Sequence, residues 1–221
     1  MTTLTQTVEV SYQSTSNPLI ANQWLTSITA PIIACDFETA SRYTDSDKEE
    51  LKALLSTLQE GSLDYHLVCQ QIASDGLSHP SLSRLTHFSL AISESFAYVF
   101  IIDSQRMHDL ILSWLTRTPI TQVWHNASFD FRHIYYHTNK FPINYQDSQV
   151  LSKTILNHVN NQRSQTGLKH LMGYKYGGWA ISADNFHLSQ MYEPHVLHYA
   201  ATDACATFAL WQELQDYIKE D

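Results

Sequence analysis

Apolar and polar positions along the chain alternate between two periods, and each change of period marks an element. Val8, Val10 and Tyr12 alternate within Thr7–Tyr12, which predicts an opening strand. Asn17-Pro18 marks a turn and a helix start, followed by Leu19, Ile20, Trp24, Leu25 and Ile28 at helical spacing. The apolar run opened by Pro31 predicts a buried central strand over Pro31–Thr39. Ser41–Arg84 is polar, with seven acids and four bases. Leu51, Leu54, Leu55 and Leu58 predict an amphipathic helix over Ser46–Leu58, and Tyr65–Ile72 is less regular. The segment reads as an insertion at about 41–85, a lid or a docking arm on the core sheet.

Beyond it, Leu85–Ile92 and Phe96–Ile102 are β-rich runs joined by Ser93-Glu94-Ser95, a hairpin pattern. Met107–Leu115 has helical spacing, and Thr121–Trp124 is a short strand leading into His125-Asn126. Ser128 is the expected cap of a helix over Phe129–His137, and Asp147 begins or caps one running to Leu156. The polar stretch Asn157–Thr166 reads as an exposed loop, Gly167–Tyr174 as a short helix and Gly173–Trp179 as a turn. Pro194 opens a long helix to about Ile218. Strands alternating with helices predict an α/β sandwich on a mixed sheet.

Composition narrows the setting. A chain of 221 residues with 43% hydrophobic and 16% charged residues suits one globular domain over 1–221. No run approaches the about 18 apolar residues of a membrane span, and Met1–Val10 lacks the parts of a secretory signal. Cys35, Cys69 and Cys205 have no paired spacing, and the twelve histidines show no ligand spacing. The expected location is cytoplasmic, with no membrane partner. The net charge of −9 speaks against a nucleic-acid partner, but its distribution does not. Phe131–Lys175 holds six bases and one acid, which points to a local anion-binding face.

Three patterns carry candidate chemistry. Asp36 and Glu38, spaced i, i+2 in a strand, project to the same side. Converging carboxylates repel unless a cation or proton lies between them, and hard oxygen donors suit Mg²⁺ or Mn²⁺. Asp130 falls in the first turn of a helix, after His125-Asn126-Ala127-Ser128-Phe129. Tyr199 and Asp203 are i, i+4 on the long helix and share a face. Taken singly, each pattern has an ordinary reading: a solvated strand end, a helix cap, and a core tyrosine beside a surface aspartate.

Taken together, Asp36-Phe37-Glu38-Thr39, Asn126-Ala127-Ser128-Phe129-Asp130 and Tyr199 through Asp203 resemble the DEDD superfamily of 3′–5′ exonucleases, in its tyrosine-type subgroup. The proofreading domain of family A DNA polymerases is the nearest likeness, and Gln149–Ser152 and Gly167–Leu171 resemble its connecting helices. The resemblance implies a ribonuclease H-like mixed β-sheet flanked by helices on both faces. It implies two divalent ions, Mg²⁺ or Mn²⁺, held by Asp36, Glu38, Asp130 and Asp203, with Tyr199 orienting the attacking water. Thr39, Asn126, Phe129 and Lys169 would bind substrate, and Tyr135, Tyr136, Tyr174 and Tyr176 would add stacking surfaces along the basic segment. No polymerase domain follows Asp221, so the expectation is a stand-alone exonuclease acting on the 3′ end of single-stranded DNA, with a separately encoded polymerase as a second partner. The alternatives are an RNA-trimming exonuclease of ribonuclease D type and a non-catalytic adaptor.

Overall fold

A computed structural model describes residues 7–41, 45–73, 80–81, 83–160, 165–179 and 188–220. Six strands form one sheet: β1 (Ser11–Thr15), β2 (Ile32–Ser41), β3 (Ser83–Ala91), β4 (Phe96–Ile101), β5 (Thr121–Trp124) and β6 (Tyr145–Asp147), in the order β1-β4-β3-β2-β5-β6. β3 runs antiparallel to β2 and β4, and the remaining pairings are parallel. The helices are α1 (Pro18–Ser27), α2 (Asp45–Leu55), α3 (Leu63–Ala73), α4 (Gln105–Leu115), α5 (Ala127–Thr138), α6 (Ser148–Asn160), α7 (Leu168–Tyr176) and α8 (Pro194–Glu220). This is the mixed α/β, ribonuclease H-like architecture that the sequence predicts.

Helices cover both faces because β2 alternates between them. Ile33, Cys35 and Phe37 join a core with Phe88, Phe100 and Trp124, closed by Leu25 of α1, Ile111 of α4 and Ile134 of α5. Ala34 faces the other way, into a core with Val99, Val123, Met172 of α7 and Ala200, Ala201 and Ala204 of α8. Those alanines are fully buried, so α8 lies close on the sheet. The alternation then fixes the direction of the next residues. Asp36 and Glu38 have the parity of Ala34 and therefore face α8.

The polar segment lies between two strands that are longer than expected. Ser41 pairs with Ser83 and Ala40 with Arg84, so residues at both its ends belong to the sheet. α2 and α3 pack on each other within it. The ladder shifts register between Glu38 and Thr39, a bulge at the end of the acidic motif.

Three local expectations need correction. The opening strand begins at Ser11, displaced toward the C-terminus, because Ser11–Thr15 pair with Phe96–Phe100. α5 begins at Ala127, with Asn126 as its N-cap in the left-handed region at φ 65°. Ser128 lies inside the first turn and donates from Oγ to Asn126 Oδ1 at 3.0 Å. α6 continues to Asn160, through residues expected in a loop, while Leu151 and Ile155 on its inner side pack against the α8 core. Residues 161–164 of that loop lie outside the described residues. Among the described residues no helix is long and apolar enough to cross a membrane.

Candidate active site

The site forms where β2 ends under α8. Ligand-capable oxygens of Asp36, Glu38 and Asp203 all lie within 4.8 Å of one another. β2 delivers the first two by its alternation, and α8 delivers Asp203 from a turn held close by its alanines. Asp130, on the inward side of α5, is buried beside them and accepts a hydrogen bond from the Phe37 backbone N–H at 3.2 Å. It adjoins Asp36 without joining the tight trio.

Lys169 of α7 reaches into this cluster. Its Nζ donates to Tyr199 Oη at 2.7 Å and to Asp203 Oδ1 and Oδ2 at 3.1 and 3.0 Å. The ammonium also stands 4.5 Å from the centre of the Tyr199 ring, a cation–π contact. Trp179 Nε1 donates to Asp203 Oδ1. Trp179 was missed in the sequence, where it is one aromatic after Gly177-Gly178 with no motif around it.

Burial and mutual repulsion set the protonation of the acids. Desolvation, then the Asp203 charge, pushes Asp36 up to about 8, against the opposing pull of Lys169. Desolvation likewise raises Glu38 and Asp130, with Asp36 adding to both. Asp203 is raised by desolvation and held back by Lys169. Tyr199 is pushed above its ordinary value by burial and by Asp203, so its phenol stays protonated at neutral pH.

A divalent cation fits this donor set. The donors are all carboxylate oxygens, and Glu38 Oε1 is buried with no hydrogen-bond partner among the described residues. A hard ion such as Mg²⁺ or Mn²⁺ meets that oxygen and offsets the repulsion.

The shifts carry a sign for stability. An aspartate titrates near 3.9 when unfolded, whereas folded Asp36 binds its proton up to about pH 8. The protonated acid therefore contributes stability at low pH, and that contribution is lost as pH rises through about 8. His125 works in the opposite window. Burial lowers it to about 4, so its contribution is lost as pH falls below about 6.5. Above pH 6.5 the acids dominate. With EDTA present, the melting temperature should fall between pH 6.5 and 8, and excess Mn²⁺ should abolish or reverse that fall. Scanning fluorimetry reads both; a metal-free melting temperature that rises with pH would contradict the assignment.

The sites of Asn126 and Asp130 are set by Asp147. Its carboxylate accepts from Asn126 N and Ala127 N at 3.3 and 2.9 Å, at the start of α5. It also accepts from Gln149 N and Val150 N at 2.8 and 3.1 Å, at the start of α6. One carboxylate thus caps two helices. His125 adds a second tie, with Nδ1 2.9 Å from Ser148 Oγ and Nε2 2.9 Å from Thr166 O, just before α7.

Of the remaining expected substrate residues, Asn126 is exposed at the N-cap, Phe129 is half-buried beside the His133 ring at 5.5 Å, and Thr39 is buried next to the bulge. Tyr176 is core, its hydroxyl donating to Glu94 O and Cys205 O. Tyr174 turns to Glu213. Tyr135 and Tyr136 remain exposed.

The sequence matches the model of a 3′–5′ exonuclease family over residues 46–219. The chain belongs to that family. The match includes Asp130, Lys169, Tyr199 and Asp203 and begins after Asp36 and Glu38. No curated protein matches the sequence. The fold of this exonuclease-family chain is similar to Brucella melitensis NrnC with bound Mg²⁺, at 16% identity and a TM-score of 0.58, covering 98% of this chain and 84% of that one. NrnC bound to pGG matches at 16% identity and a TM-score of 0.57, over 98% and 83% of the two chains. Escherichia coli RNase D, an exoribonuclease involved in structured RNA processing, matches at 14% identity and a TM-score of 0.57, over 96% of this chain and 46% of that one.

Proposed function

We propose that this protein is a metal-dependent exonuclease that removes nucleotides from the 3′ end of short single-stranded oligonucleotides, RNA before DNA. The observation that carries the reading is the convergence of Asp36, Glu38 and Asp203 beneath Tyr199, with Asp130 alongside. RNA takes precedence over the DNA expected from the sequence because the neighbours include NrnC bound to pGG and an exoribonuclease. DNA is the second reading, supported by the likeness of the connecting helices to proofreading domains. The free thiols of Cys35, Cys69 and Cys205 suit a reducing cytoplasm.

Asp36, Glu38, Asp130 and Asp203 would hold two Mg²⁺ or Mn²⁺ ions. Bound there, such ions stabilise charge on the phosphate and lower the pKa of water. The protein's own groups do the rest. Tyr199, protonated at neutral pH, can donate its hydroxyl hydrogen or accept one, and so orients a water toward the phosphorus. Lys169 supplies a cation beside that hydroxyl for the phosphate of the terminal nucleotide. Thr39, Asn126 and Phe129 line the approach, and Phe129 offers an apolar face to the terminal base. The polar segment between β2 and β3 is a docking arm for a separately encoded polymerase, tested by pull-down with that segment shortened.

Tyr199→Phe keeps the ring and the carboxylates, so it should lower kcat by about a hundredfold or more while Mn²⁺ binding by calorimetry stays within about twofold. Unchanged turnover would remove Tyr199 from the mechanism. Matched RNA and DNA heptamers, given together in Mg²⁺ or Mn²⁺, test the sugar. Faster shortening of RNA supports the reading, and faster shortening of DNA reverses the order of the two substrates.

A further inference from the structure

The outer face of α5 carries a groove that the catalytic site does not use. Ser128, Arg132, Tyr135, Tyr136, Asn139 and Phe141 line it, in a cavity of about 580 Å³. The α5 positions recur at three- and four-residue steps, so they share one side of the helix, while Asp130 and Ile134 point inward. Tyr135 and Phe141 are about half exposed, with rings stacked 4.9 Å apart at 18°. Large stacked aromatics facing solvent are costly to leave uncovered and form a ready platform for another flat ring.

Charge and position say what that ring belongs to. Among the described residues no acid lines the groove, although the chain as a whole carries −9. Arg132 stands exposed in it, its Nε anchored to Ser128 O at 3.0 Å. Another cation of the basic segment, Lys175, is occupied by Glu94 and Glu213. The groove also starts at the end of α5 that carries Asp130. Ser128 lies at its near end and bonds to Asn126, and Asp130 follows two residues later on the inward side. From Ser128 to Tyr136 the helix rises about 12 Å at 1.5 Å per residue.

We infer that this groove is a second binding site for the substrate strand: a nucleobase upstream of the scissile end stacks on the Tyr135–Phe141 pair while Arg132 takes a backbone phosphate. The inference rests on the functional reading above and extends it, predicting that oligonucleotides longer than a dinucleotide gain affinity from the groove. Aromatic stacking of this kind tolerates any base.

Fluorescence anisotropy with a labelled RNA heptamer, in EDTA so that no cleavage occurs, tests it on the full chain. Tyr135→Ala should weaken heptamer binding by about fivefold or more, and Tyr135→Phe, which keeps the ring, should restore it. Competition by a dinucleotide, too short to reach from Asp130 into the groove, should change less than twofold. Arg132→Ala should reduce the slope of log Kd against log salt by about 0.7, the loss of one phosphate contact. Unchanged heptamer affinity in both alanine variants overturns the site, as does equal weakening for heptamer and dinucleotide. A dimer in light scattering that Tyr135→Ala dissociates would assign the face to a second copy of this chain and overturn it too. Binding without any turnover in Mn²⁺ would instead refute the catalytic reading and leave the groove standing.

Discussion

Asp36→Ala is expected to lower turnover by about a thousandfold or more while leaving the metal-free protein at least as stable as the parent at pH 8. The loss follows from removing a member of the oxygen trio, since the ions such a trio holds stabilise several kcal/mol of transition-state charge. The stability half of the expectation is less usual, because substitutions at buried positions mostly destabilise. Asp36, however, is held against Asp203 and desolvated, which is why its pKa is driven to about 8. Deleting it removes a repulsion and leaves Lys169 paired with Asp203. Melting curves in EDTA and steady-state rates in Mn²⁺ check the two halves separately. Activity lost together with the fold would mean that Asp36 is structural.

Asp147→Ala should produce the largest loss of stability. Four backbone N–H groups at two helix starts end on this one carboxylate. Losing an N-cap costs about 1 kcal/mol, and up to about 2 in favourable hosts, so two caps amount to about 2–4 kcal/mol. For a chain of this length that corresponds to a fall of roughly 4–16 °C in melting temperature. Activity should fall as well in the fraction that stays folded, because Asn126 and the turn carrying Asp130 lose their anchor. Asp147→Asn keeps an acceptor oxygen and should recover part of both. A melting temperature within about 1 °C of the parent would show that solvent replaces the carboxylate at both caps.

The acidic pair was legible because strand alternation is a local rule. Once Pro31–Thr39 is a buried strand, Asp36 and Glu38 must project together, and the i, i+4 spacing of Tyr199 and Asp203 is just as local. Which face they share depends on packing, and there Ala200, Ala201 and Ala204 gave a usable sign. What escaped reading depends on partners distant in sequence. β6 has three residues and no apolar pattern; it exists because Gln122–Trp124 of β5 offer it a parallel edge. Ser128 looked like the cap of α5, but the N–H groups of Asn126 and Ala127 find Asp147, about twenty residues away. Trp179 reaches Asp203 from beyond a double-glycine turn whose course no periodicity encodes. Lys169 lay in a recognisable helix, but its reach into the carboxylates is a tertiary fact. The sugar of the substrate is written in no residue pattern along this chain, so the choice between DNA and RNA rests on resemblance and not on residue chemistry.

Metal-dependent cleavage from the 3′ end is best tested with a 5′-labelled single-stranded RNA 20-mer, incubated with Mn²⁺ beside an EDTA control and the Asp203→Ala variant. The expected result is a ladder that shortens from the 3′ end, requires the metal and is absent from the variant. Intact RNA and intact DNA of the same sequence under Mg²⁺ and Mn²⁺, or a ladder that persists in Asp203→Ala, would contradict it.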